Sequence, residues 1–110
     1  MITTQLDLVQ GTLDVLVLKT LAWQPMHGYA IARWIKERTE SVILVEEGAL
    51  YPALHRLERR GWIESEWGVS ENNRKAKFYS LTATGKKQLN AETANWDRVS
   101  AAINMILKGA

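Results

Sequence analysis

Cysteine is absent from this sequence. That excludes disulfides, thiolate metal sites and a cysteine nucleophile. Only two histidines, His27 and His55, are present, and neither stands in a short-spaced carboxylate pattern, so no metal site and no cofactor are expected. Proline is confined to Pro25 and Pro52, and no internal repeat or low-complexity linker divides the chain. Long apolar runs are missing too. Nothing approaches the roughly 20 residues needed to span a bilayer. Residues 1–7 lack the basic start and apolar run of a signal peptide, which makes a cytoplasmic location the expectation. Glu46 and Glu47 are the one adjacent acid pair that suggests acid–base work. Neighbouring side chains point to different sides, however, and no nucleophile motif or phosphate loop accompanies them. No catalytic residue is assigned, and an enzyme is not expected.

What is present suits one globular domain with a modest core: 110 residues, 46% hydrophobic and 24% charged. The net charge of +2 is small, but it is unevenly spread. Residues 1–50 carry −2 and residues 51–110 carry +4. Scattered charge on a solvated face explains such a difference equally well. The basic half, however, contains the most informative stretch, Gly48 to Arg60.

In that stretch Leu50, Leu54 and Leu57 fall at i, i+4 and i+7, one apolar stripe of a helix. Tyr51, Pro52, His55, Arg56, Arg59 and Arg60 occupy the other faces. Guanidinium groups offer fixed donors and a permanent charge, which suits phosphates and base edges. Gly61 follows where a helix stop is expected. The reading is a recognition helix for the DNA major groove. Arg59 and Arg60 are equally well explained as helix-end charges that complement the dipole. Tyr51 and Tyr79 also fit aromatics at the edge of a core. His55 gains weight only from lying one turn after Tyr51.

Taken in order, the chain begins with a helix that starts near Leu6, capped by Thr3 or Thr4 and apolar on most faces through Leu21. A helix buried on several sides is a first sign of a partner. Residues 23–28 read as a turn around Pro25, with Gly28 allowing an unusual backbone angle or close packing. A second helix, Tyr29 to about Arg38, presents Ile31, Trp34 and Ile35 on one face. Val42–Val45 is a β-branched run and is predicted as a strand. Glu46 and Glu47 then favour the start of the recognition helix, with Pro52 near its first turn. Residues 62–67 and 76–81 alternate as strands around a polar, turn-rich loop, which makes a hairpin. Thr82 and Thr84 are cap candidates for a last helix that reaches about Leu107. The fold class is therefore α+β and mainly helical: a winged helix-turn-helix over residues 1–82, followed by a C-terminal dimerisation helix over residues 83–110.

The case for a dimer comes from that last helix. Leu89, Trp96 and Ile103 are spaced by seven, and so are Glu92, Val99 and Ile106. With the winged unit already complete, this seam is expected against a second copy about a two-fold axis, joined by Leu6 and Leu13 of the first helix. Folding back onto its own domain is the alternative. For DNA, the expected contacts are Tyr51, Pro52, His55 and Arg56 from the recognition helix. The wing adds Asn72, Asn73, Arg74, Lys75 and Lys77, and Tyr29 adds a phosphate contact at the second helix.

Several motifs together resemble the PadR family of bacterial transcriptional regulators. They are Gly11–Asp14, His27-Gly-Tyr29, Glu46–Glu58 with its Gly-Ala-Leu-Tyr-Pro core, Gly61–Glu64, Trp67-Gly68 and Asn73–Thr82. The resemblance runs from about residue 6 to 107. It implies a homodimeric winged-helix repressor on an inverted-repeat promoter site, of the short type with one helix after the wing. Some members of that family take phenolic acids or flat aromatic drugs at the dimer interface, and Trp96 stands at a matching place for such an effector. The competing reading is a winged-helix module for protein–protein contact without specific DNA binding.

Overall fold

The computed structural model describes residues 10–109. Helix α1 (Gln10–Trp23) runs through the middle of the fold and touches α2 (Gly28–Arg38), α3 (Glu47–Arg59), the sheet and the C-terminal helix α4 (Ala83–Lys108). This setting explains its broadly apolar sequence. Leu13, Val17, Leu18 and Leu21 are all buried in the protomer's own core. Thr20 is fully buried as well, because its hydroxyl donates to the Leu16 carbonyl at 2.8 Å. Most of the apolar surface of α1 thus needs no second chain.

Three strands form one antiparallel sheet: β1 (Met26–His27), β2 (Ile63–Val69) and β3 (Lys75–Leu81), in the order β1-β3-β2. The hairpin of β2 and β3 forms where the alternating pattern indicated. Ile63 pairs with Leu81, Ser65 with Tyr79 and Trp67 with Lys77. The third strand lies elsewhere than expected. Val42–Val45 is not a strand. The edge of β3 is taken by Met26 and His27, which pair with Tyr79 and Phe78. Positive φ angles at Glu40 (52°) and Ser41 (67°) turn the chain sharply before Val42. Thr39 then anchors the loop, its hydroxyl accepting from the Ile43 N–H at 3.1 Å. Ile43 and Val45 pack on the core from irregular backbone, so this β-branched run records burial and not pairing.

Helix α3 buries Leu50, Ala53, Leu54 and Leu57, the stripe the sequence indicated. Pro52 lies in its second turn and not the first, because the helix already begins at Glu47. Gly61 ends the segment with φ +76°. Thr82 caps α4, its side chain accepting from the Gly85 N–H at 3.0 Å.

Together these elements make a winged helix-turn-helix with one long helix after the wing. The start of α4 packs on α1 through Leu89. Leu13 and Leu89, both expected at a dimer seam, are 4% and 6% exposed within the protomer and belong to its core. Trp96, Val99, Ile103 and Ile106 of the same seam stand exposed, with Met105 and Leu107 beside them. Leu6 lies outside the described residues. Among the described residues no helix is long and apolar enough to cross a membrane.

Candidate nucleic-acid interface

A cleft of about 660 Å³ opens between α3 and the wing. Its α3 wall carries Tyr51 and His55. Its wing wall carries Trp67, Asn72, Arg74, Lys75 and Lys77, and Tyr29 closes one end. Residues far apart in sequence meet here for separate local reasons. Tyr51 and His55 are one helical turn apart, on the side of α3 opposite the Leu50 stripe. Lys75 and Lys77 are two apart on β3, so they share a face. That face is greasy at the base of the hairpin, where Ile63 and Tyr79 are buried, and becomes polar toward its tip.

Helix α3 sits close to α2. A β-carbon at Gly28 would lie 2.5 Å from the Tyr51 hydroxyl oxygen. Gly28 therefore serves close packing. Tyr79, behind the cleft, is buried, and that burial raises its phenol above the usual value, helped by Glu58 and then Tyr51.

The wing is tied to α2 through Glu71 in its loop. His27 caps α2 by accepting from the Ala30 N–H on Nδ1 at 3.2 Å. The proton therefore sits on Nε2, which donates to Glu71 Oε1 at 3.2 Å. Arg33 donates to Glu71 Oε2 at 3.3 Å. The Glu71 carboxyl is lowered to about 2, first by a hydrogen bond from its own backbone N–H, then by His27 and Arg33. Asn73 makes the turn beyond it. Its φ of +59° is one that Asn tolerates well, and its N–H bonds the Ser70 carbonyl at 2.9 Å.

Arg56 stands apart from the other expected contacts. It does not line the cleft. Its guanidinium turns back to Asp14 on α1, donating at 2.8 Å, and its Nε is buried without a partner. Asp14 is itself buried and also lies 3.8 Å from Arg60. This pairing of a guanidinium with a buried carboxylate joins α1 to α3. Pro52 and Asn73 also lie outside the cleft walls, whereas Tyr29, Tyr51, His55, Asn72, Arg74, Lys75 and Lys77 converge on it. From the sequence, Trp67 stood out only as part of the Trp67-Gly68 motif and not as a site residue. It is 60% exposed on β2 and borders the cleft. An exposed tryptophan at the end of an apolar strand face was the available signal, hidden by its fit to the alternating strand pattern.

Comparison with known proteins gives a consistent picture. The model of the PadR-like family of transcriptional regulators matches residues 17–91. An uncharacterized protein of Lysinibacillus sphaericus is 30% identical over 103 residues, covering 94% of each chain. The structure of a transcriptional regulator from Clostridium thermocellum superposes with a TM-score of 0.81 at 29% identity, over 90% of this chain and 96% of that one. A PadR family transcription regulator from Clostridium difficile superposes with a TM-score of 0.73 at 31% identity, over 86% of this chain and 96% of that one. With its family match, its winged fold and its basic cleft, this chain belongs to the PadR-like family of DNA-binding transcriptional regulators.

Proposed function

We propose that the chain is a homodimeric repressor that binds an inverted-repeat promoter site. In this reading residues 1–82 bind DNA and residues 83–110 pair the two copies. The observation that carries it is the cleft, where an α3 face of Tyr51 and His55 meets Arg74, Lys75 and Lys77 of the wing. Two copies of α3 enter successive major grooves, roughly 34 Å apart for half-sites one turn apart. The wings grip the backbone, and occupancy blocks polymerase.

The exposed end of α4 supports the pairing, because four seam residues from Trp96 to Ile106 lack cover within one protomer. Trp96 also borders a groove of about 180 Å³ with Gly11, Thr12, Val15 and Val99. A flat aromatic effector stacked there alters the spacing of the two DNA helices and releases the site.

A gel-shift titration on the protein's own upstream region tests the reading, followed by selection from a random duplex pool. A selected palindrome bound by a dimer is expected. Equal weak binding to every duplex, or affinity only for a protein partner with no dependence on salt, would refute it.

A further inference from the structure

We propose that Trp67 is a DNA-positioning residue: its indole holds Lys75 and Lys77 as a paired clamp for the phosphate backbone. This inference rests on the reading of the cleft as the seat of DNA.

The hairpin register puts Trp67 directly across from Lys77, with Lys75 diagonal to it on the same face. The ammonium nitrogens lie 5.2 Å (Lys75) and 6.0 Å (Lys77) from the indole centroid. Tryptophan has the ring face that attracts cations most strongly. All three side chains border the cleft opposite Tyr51 and His55. Glu64 and Glu66 alternate to the other side of β2, Glu71 is held by His27 and Arg33, and Glu58, the acid that reaches this face, accepts from Ser65 at the base of the hairpin at 2.7 Å.

Two lysines this close on one strand repel each other, and each long stem loses rotamer freedom on gripping a phosphate. A ring that attracts both ammonium groups offsets the repulsion and orders the stems before DNA arrives. The expected effect is on affinity, without a change in the number of phosphates neutralised.

The test is fluorescence anisotropy on a labelled duplex of the upstream region, over a salt series, with folding checked by circular dichroism. Trp67→Leu keeps strand-compatible bulk without a π face and should weaken binding about tenfold. The slope against salt should hold. Trp67→Phe should recover most of the affinity. Lys75→Gln with Lys77→Gln should reduce the salt slope by about two. In that lysine-free background Trp67→Leu should cost less than about twofold, because the residues act as a unit. Trp67→Ala serves the same comparison if the leucine variant does not fold. Wild-type affinity for Trp67→Leu overturns the proposal. So does a tenfold loss in both backgrounds, which would mean that the indole touches DNA by itself. A parent protein that binds no duplex at all instead removes the DNA reading beneath it.

Discussion

Tyr51 crosses from α3 to occupy the space a side chain at Gly28 would need. Gly28→Ala should therefore cost about 1–3 kcal/mol in urea unfolding, since the ring or the backbone must shift. A denaturation midpoint equal to the parent's would show that the helices separate freely. Asp14 and Arg56 set a second constraint. Removing either side chain leaves a partly buried charge without its partner. Asp14→Ala and Arg56→Ala should each cost about 2–3 kcal/mol, and the double variant less than their sum. Arg56→Ala should leave base preference unchanged in a selected-site comparison, because its guanidinium is spent on α1. Residue types near the start of α3 were legible in the sequence, including Tyr51 and His55 one turn apart. Their directions were not. A charge on a helix surface carries no mark of whether it meets solvent, DNA or an aspartate 42 residues earlier.

At the level of elements, Glu71 links the wing loop to His27 and Arg33. The Glu71 carboxyl titrates near 2 when folded, below its ordinary 4.5. A depressed acid contributes stability above its unfolded value and loses it as pH falls through the folded one. The contribution should fade between about pH 4.5 and about pH 2. Melting temperature against pH should accordingly fall less steeply on the acid side for Glu71→Gln than for the parent. Parallel curves would mean that the link contributes nothing to folding. Arg74, at the cleft wall, should behave as a phosphate contact. Arg74→Ala should weaken binding to all duplexes and reduce the salt slope by about one. The hairpin and its basic loop were readable from alternation and turn chemistry. The third strand was not, because β1 is two residues long, too short for any periodicity, while Val42–Val45 showed the composition of a strand but packs on the core from irregular backbone.

For the molecule as a whole, the division between covered and uncovered surface falls along α4. Its start is sealed against α1, and from Trp96 onward its apolar side chains face outward. Ile103→Asp with Ile106→Asp should leave the winged unit folded and produce a monomer by sedimentation. Operator affinity should fall at least tenfold as the second half-site is lost. A dimer that survives both charges would place the pairing surface elsewhere. Seven-residue spacing picked out the exposed stripe of α4, except at Leu89, where the same residue serves the protomer's core. The hairpin register has one more consequence. A slip of a single residue in β2 would expel Ile63 from the core and swing Glu64 and Glu66 into the cleft beside Lys75 and Lys77. The cleft wall would lose most of its positive charge in the same movement that opens a hole beneath it. The oily base of the wing thus acts as the proofreader of its electric field: a misthreaded copy fails to fold before it can present the wrong charge to DNA.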